Sequence, residues 1–291
     1  MGRITETNPT STPTKINFIG LLYWCVPAAI LFLLLGPLFS KRDPFFGIVL
    51  TEAVAIFLPA IYFRGRYGGK KHGGMALGEA ALLTVAVFPI ILVINGIFLD
   101  ALSRIYLLEN QNLDLLRGNV GLFKQILTMA LAPAIMEEFF FRGVLCEQFS
   151  RRSPRGAVIL SAELFAIFHF ELQNSLAPFL FGLVLGYIYL YGGLKACIFS
   201  HFLYNLSSIL FIHFFNERWI ASFSKAGLVL RLGGIKNATT VMLLVAGAVG
   251  VALILRASIK RPLPRGQKAV RRKEWIPIAM LAAVYMIQLL V

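Results

Sequence analysis

The chain has 291 residues, of which 58% are hydrophobic and only 14% are charged. Soluble globular chains are nearer half apolar and a quarter charged, so this composition indicates a polytopic membrane protein. The net charge of +14 would suggest nucleic-acid binding in a soluble protein. Here the cations occupy short loops between apolar runs, so we expect the lipid bilayer as a partner and no nucleic acid.

The N-terminal residues 1–15 are polar and rich in Thr and Pro, and we expect them to form a flexible tail. The apolar run that follows, 16–39, is too long for the core of a signal peptide and lacks a clear small-residue cleavage site. It is therefore predicted to be the first spanning helix.

A spanning helix needs about 20 apolar residues. The pattern predicts an all-α, polytopic transmembrane helical bundle with about eight spans, and the last of nine apolar runs is the candidate for a ninth span. The fifth, sixth and ninth runs are short. In chain order the runs are 16–39, 45–63, 77–99, 126–149, 157–172, 176–191, 194–215, 239–256 and 275–291.

The domain organisation follows from these runs. The bundle is expected over 16–256, with its chemically interesting core at 126–215. A basic cytoplasmic segment at 257–274 separates it from the C-terminal hydrophobic run at 275–291. Alternate loops carry about twice as many Lys and Arg residues as the others, which predicts that the N-terminus is cytoplasmic.

Ionisable groups inside membrane spans are costly and usually functional. The pair Glu138 and Arg142 is spaced for one helix face, and we interpret it mainly as a structural ion pair. Glu52, Glu79 and Glu163 are interpreted as buried neutral acids that hydrogen-bond between helices. The remaining polar groups in the central runs are Glu137, His169, His201 and Asn205.

These last four groups are predicted to share a site, because loop charges alone bring them to similar depths. Glu137 lies about three helical turns before the cytoplasmic end of the fourth run, and His169 lies as far after the start of the fifth. Asn205 lies about three turns into the seventh run, and His201 lies about two turns into it. The helical rise therefore places the first three about 16–18 Å above the cytoplasmic edge, with His201 one turn lower.

A carboxylate and an imidazole within hydrogen-bond reach can activate water, while a second His and an Asn supply donors for a developing oxyanion. Together these groups suit hydrolysis of a peptide bond. The sequence has no His-Glu-x-x-His motif, no Walker loop and no Gly-rich dinucleotide fingerprint.

Three short motifs resemble those of the CAAX-protease and bacteriocin-processing (CPBP, or Abi) family. "EEFFFR" at 137–142 matches its EExxxR motif, "FAIFH" at 165–169 its FxxxH motif, and "HFLYN" at 201–205 its HxxxN motif. They occur in the family's order. One departure is that "FELQN" follows His169 where many bacterial members have a Pro.

The resemblance implies an intramembrane endopeptidase similar to the Ras-converting CAAX prenyl protease, acting on a peptide or protein substrate that is lipidated in some members. It implies that Glu137 and His169 activate water and that His201 and Asn205 stabilise the oxyanion. Glu138, Arg142 and Phe165 are then supporting residues, and no metal or other cofactor is expected.

Three alternatives stay open at this point. A zinc-dependent version of the same protease would use Glu137, His169 and His201 as metal ligands. A proton-coupled transporter would show repeat symmetry, and the sequence shows none. A non-catalytic member of the family would act as a bacteriocin-immunity or scaffold protein.

Overall fold

The computed structural model describes residues 18–67, 73–108, 120–214, 238–264 and 271–290. The predicted tail at 1–15 lies outside these ranges. Of the described residues, 86% are helical and none is in a strand. The all-α prediction is therefore confirmed.

Nine helices make up the described part of the chain. Helix α2 is continuous across a π turn at Ala53–Phe57, and α4 is continuous across π turns at Ile126–Leu131 and Phe141–Cys146. In order they are α1 (Phe18–Ser40), α2 (Pro44–Glu52 through Leu58–Tyr67), α3 (Leu77–Leu102), α4 (Leu122–Gln125 through Ala132–Phe140 to Glu147–Ser150), α5 (Pro154–Ile167), α6 and α7 (together Leu176–Phe214), α8 (Ala238–Lys260) and α9 (Trp275–Leu290).

The starts of α2 and α5 use the same local chemistry. Asp43 accepts hydrogen bonds from the amides of Phe45 and Phe46, at 2.9 and 3.2 Å, and Ser153 accepts one from Gly156 at 3.2 Å. In both cases a Pro occupies the first turn, where its missing N–H costs nothing. The loop sequences "SKRDP" and "SRRSP" therefore define where these helices begin.

Helices α6 (176–192) and α7 (194–214) form an antiparallel hairpin around Gly193. The backbone of Gly193 has φ 77° and ψ −174°, a conformation that is essentially restricted to glycine. The Phe181 ring on α6 stacks on the Tyr204 ring on α7, with ring centroids 3.9 Å apart. The Cys197 thiol also bonds the carbonyl oxygen of Leu185 at 3.1 Å. The prediction of two successive runs at 176–191 and 194–215 matches this hairpin.

The α6–α7 hairpin is the centre of the bundle, since it packs against α3, α4 and α5. Helix α1 packs against α2 and α9, and α8 packs against α3. Polar side chains on α4, α5 and α7 therefore meet in the interior.

Four described segments are long and apolar enough to cross a membrane: Ile19–Ser40, Pro44–Arg66, Leu77–Leu102 and Leu176–His213. The last of these is the hairpin, so it contains two of the predicted runs. The apolar sequence of α4 is interrupted by the charged residues Glu137, Glu138 and Arg142. Helix α5 has only 14 residues. These apolar helices support an integral membrane protein. The number of spans, eight or nine, stays a prediction.

The predicted fifth run, 157–172, extends too far. Helix α5 ends at Ile167, and the backbone at Phe170 is left-handed, with φ 52°. The chain leaves the helix here because the His169 ring bonds the carbonyl oxygen of Phe165 and so competes with the helical pattern. This exit lies at "FELQN", where the sequence departs from many bacterial members of the family.

A buried ion pair fastens the start of α9 to the turn between α4 and α5. Both guanidinium nitrogens of Arg152 bond the Glu274 carboxylate, at 2.8 and 2.9 Å. The backbone amide of Arg271 adds a third bond at 2.7 Å. Burial raises the pKa of Glu274, but these hydrogen bonds outweigh that effect and hold the pKa below its ordinary value.

We expect Gly193→Ala to destabilise the protein by about 1–2 kcal/mol, because a side chain at a left-handed position clashes with the backbone. Gly36→Ala in α1 is the matched control, since an added Cβ meets nothing within 4 Å there. Thermal unfolding in detergent measures both. Equal melting temperatures for the two variants would contradict the role given to Gly193.

We expect Glu274→Gln to lower the melting temperature at neutral pH, corresponding to about 1–3 kcal/mol for lost bonds to a charged group. Because the folded pKa is depressed, the stabilisation is present above the ordinary pKa of 4.5 and is lost as the pH falls through the folded pKa. The difference between wild type and variant should therefore shrink in acid. A difference that is independent of pH would show that the carboxylate charge is not involved.

Candidate active site

The buried pair Glu138 and Arg142 is the centre of the polar cluster. Glu138 Oε1 lies 2.7 Å from Arg142 Nη1, and both side chains are fully buried. Arg142 Nη2 donates to the carbonyl oxygen of Gly182 on α6 at 3.3 Å, and its guanidinium lies 4.5 Å from the Phe165 ring centroid on α5. One charged side chain of α4 thus connects α5 and α6.

Arg142 belongs to the π turn Phe141–Cys146, all six residues of which are buried. A second π turn, Ile126–Leu131, precedes the helical segment that carries the two glutamates. Such turns are rare in general and frequent at functional sites, since they redirect side chains within a helix.

His201 lies between the two glutamates. Its Nδ1 is 2.8 Å from Glu138 Oε1, and its Nε2 is 3.7 Å from Glu137 Oε2. Because an ionised carboxylate can only accept a hydrogen bond, Nδ1 donates to Glu138. This bond turns Nε2 toward Glu137. The edges of the Phe165 and Phe181 rings hold the imidazole from two sides, with centroids 5.7 and 5.8 Å away.

His169 is fixed in the turn that follows α5. Its Nδ1 is 2.9 Å from the carbonyl oxygen of Phe165, which can only accept, so Nδ1 carries a proton. In the neutral ring Nε2 is then left as an acceptor. The Phe165 ring touches His169 edge-on with centroids 5.0 Å apart, and the imidazoles of His169 and His201 interact electrostatically. Phe165 therefore orients both histidines.

Glu137 is the accessible member of the glutamate pair. Its side chain is 15% exposed, whereas that of Glu138 is fully buried. Only Glu137 can reach a substrate or a water molecule directly. Asn205, one turn beyond His201 on α7, donates from Nδ2 to the carbonyl oxygen of Met129 at 3.2 Å.

The structure brings Glu137, Glu138, Arg142, His169, His201 and Phe165 into one cluster, with Asn205 beside it. The predicted depths need one correction: His201, rather than Asn205, is level with Glu137. The depth estimate treated the helices as straight and parallel to the membrane normal. The π turns in α4 and the packing of α7 against it change this register.

The interpretation of Glu79 and Glu163 as buried acids that hydrogen-bond between helices is wrong. Glu79 lies in the first turn of α3 and forms a bidentate pair with Arg261. Glu163 is exposed on the outside of α5. Glu52 is buried, as predicted, but it interacts electrostatically with Glu137 and so belongs to the cluster. The sequence showed Glu52 only as one carboxyl within a predicted span. Residue spacing along the chain could not show that it lies beside α4.

Glu137, His169 and His201 are the three ligands that a zinc-dependent mechanism would require. In the part of the chain that the structure describes, no three His, Cys, Asp or Glu side chains are grouped so that they could hold a metal ion. The bonds of His201 Nδ1 to Glu138 and of His169 Nδ1 to the backbone leave the Nε2 atom of each ring uncommitted to them. The expectation that no metal is needed therefore stays a prediction.

A polar cluster enclosed by an apolar helical bundle, with one accessible carboxylate beside an oriented imidazole, defines a membrane-embedded protein with ionisable groups in its interior. Residues 119–207 match the family model of the type II CAAX prenyl endopeptidase Rce1-like proteins. This segment contains all three motifs, and the match confirms the resemblance found in the sequence. No curated protein and no solved structure matches the chain.

We expect Arg142→Leu to destabilise the protein by about 3–5 kcal/mol, because it removes the guanidinium that neutralises the buried Glu138 carboxylate. The matched control is Arg104→Leu, whose partner Asp100 is also one helical turn away but lies in water. That change should have no measurable effect. Thermal unfolding in detergent reports both variants.

The double variant Glu138→Leu and Arg142→Leu separates charge from packing. It should recover part of the stability lost in Arg142→Leu, since no lone charge remains in the interior. If the double variant is no more stable than Arg142→Leu, the loss reflects packing of the arginine side chain instead.

Proposed function

We propose that this protein is an intramembrane endopeptidase that hydrolyses a peptide bond in a membrane-associated substrate of the CAAX type or a related kind. The single observation that carries the proposal is the position of Glu137. It is an accessible carboxyl beside His201, and the other side of His201 is fixed by the buried Glu138–Arg142 pair.

In the proposed reaction, Glu137 and His169 activate a water molecule. Water attacks the carbonyl carbon of the scissile bond as Glu137 accepts its proton, and a tetrahedral intermediate forms. The C–N bond then breaks, and the proton passes from Glu137 to the leaving nitrogen. His169 supports this step because its Nε2 is free to accept from the water while Nδ1 is held by the backbone.

His201 and Asn205 are proposed to stabilise the oxyanion. Nδ1 of His201 donates to Glu138, so His201 acts in this step as the imidazolium cation, whose Nε2–H is directed at the developing charge. Asn205 has one amide hydrogen committed to Met129 and a second one available. Both donors are fixed before substrate arrives, which is what makes such groups effective in a water-poor interior.

Glu138, Arg142 and Phe165 are proposed as supporting residues. The ion pair keeps His201 between two carboxylates, and the Phe165 ring touches both histidines as well as the guanidinium. Loss of any of the three would misplace the imidazoles. A misplacement of about 1 Å can cost a hundredfold in rate.

The substrate is proposed to be a peptide or protein held at the membrane, with lipidated C-terminal tails as one class. The enzyme is proposed to be multi-pass with a cytoplasmic N-terminus and to need no metal ion. Zinc dependence and a non-catalytic immunity or scaffold role are the alternatives that the following experiments distinguish.

Glu137→Ala and His169→Ala are each expected to lower kcat/KM for a membrane-anchored peptide by about 10²–10⁴-fold, because each removes a proton-transfer group. Cleavage by purified protein in liposomes is followed by mass spectrometry. Glu163→Ala is the matched control, since this carboxyl is exposed on the outside of α5. Full activity in both site variants would overturn the mechanism.

Metal dependence is measured on the same wild-type preparation. We expect cleavage to persist in a strong chelator, with less than stoichiometric zinc in the purified protein. Stoichiometric zinc together with inactivation by the chelator would establish the zinc-dependent version. A wild-type protein that cleaves none of the lipidated and unlipidated peptides would favour the non-catalytic role.

A further inference from the structure

Glu52 is a buried carboxyl with no role in the mechanism above. It lies on α2 immediately before the π turn Ala53–Phe57, and it is only 4% exposed. Its Oε2 has no hydrogen-bond partner among the described residues. A buried polar atom left without a partner costs stability, so its presence calls for a functional explanation.

The register between α2 and α4 places Glu52 within about one helical turn of the level of Glu137. The two helices run in the same direction: Asp43 pairs with Lys124 near their starts, and Arg64 donates to the carbonyl oxygen of Gly143 at 2.9 Å further along. Between these contacts Phe57 meets Phe139 edge-on, with ring centroids 5.5 Å apart. By these contacts Glu52 lies about one helical turn before the level of Glu137, within reach of two long side chains, and the two carboxyls interact electrostatically.

Charge neutralisation does not explain Glu52. Within the described ranges no Lys, Arg or His forms an ion pair with it, and the one guanidinium in the cluster is committed to Glu138. The nearby His201 is already held by Glu137 and Glu138. Glu52 therefore adds a third carboxyl to a site whose positive groups are all in use.

We propose that Glu52 is a further catalytic residue, which holds the attacking water together with Glu137. The proposal rests on the function proposed above. Water bound between two carboxyls has both hydrogens directed, which turns an oxygen lone pair toward the substrate carbonyl. Orienting the nucleophile in this way supplies a large part of the rate enhancement of hydrolysis.

In this step no proton is transferred to or from Glu52. One water hydrogen is transferred to Glu137 as the oxygen attacks, and it later leaves with the amine. The other hydrogen stays bonded to the water oxygen and points at Glu52, which accepts a hydrogen bond only. Any side chain at position 52 that places an acceptor oxygen at the same distance from the water can therefore orient it.

Two substitutions test this role. Glu52→Gln keeps an acceptor oxygen at the same distance and removes the carboxyl charge, whereas Glu52→Met keeps the length and removes the acceptor. We expect Glu52→Met to lower kcat by about 10²-fold with little change in KM. We expect Glu52→Gln to keep most of the wild-type kcat.

The melting temperature distinguishes catalysis from packing. Because Met leaves no buried polar atom unpaired, Glu52→Met should melt at or above the wild-type temperature while it loses activity. Glu163→Met, at an exposed carboxyl of α5, is the matched control and should change neither quantity.

Three results would overturn the proposal: wild-type kcat in Glu52→Met, equal losses in the Gln and Met variants, or a kcat loss that follows a fall in melting temperature. Glu137→Gln is measured in parallel. If Glu137→Gln is inactive while both Glu52 variants keep full activity, only the role of Glu52 fails. If Glu137→Gln cleaves as wild type does, the proposed function itself fails.

Discussion

The contact between Glu138 and Arg142 is the interaction on which the polar interior depends. A guanidinium in an apolar bundle needs a counter-charge and acceptors, and Arg142 finds them in Glu138, the Gly182 carbonyl and the Phe165 ring. The contacts with Gly182 and Phe165 fix α6 and α5 against α4. His201 then bonds the same Glu138 oxygen, so the geometry of the site follows from the way one buried charge is satisfied.

Close approach of the helices is what makes these contacts reachable. At Gly182 an added Cβ would lie 3.0 Å from Ala162, so only glycine lets α6 come near enough to α5 for its carbonyl to meet Arg142. In α4, Pro133 lacks an amide donor, and the π turn that precedes it absorbs the interruption. Glu137 and Glu138 lie in the regular helical segment between the two π turns, where consecutive residues point about 100° apart and so have different environments.

This difference in environment divides the work between the two glutamates. Glu138 is fully buried and holds His201, while the Glu137 side chain keeps part of its surface exposed. The Phe165 ring contacts Arg142, His169 and His201 together, and the Phe165 carbonyl oxygen also bonds His169. An aromatic residue at this position therefore links the ion pair to both imidazoles without adding a further polar group to the interior.

The sequence by itself determined the helical class and, through the Asp-Pro and Ser-Pro signals, the starts of α2 and α5. It also contains the three motifs that resemble those of one family. These are local properties, set by hydropathy, capping and spacing within one helix. Tertiary structure alone decided that His201 is level with Glu137, and that Glu79 and Glu163 lie away from the site while Glu52 joins it. Those outcomes depend on the rotation and register of one helix against another, which residue spacing along a single chain does not encode.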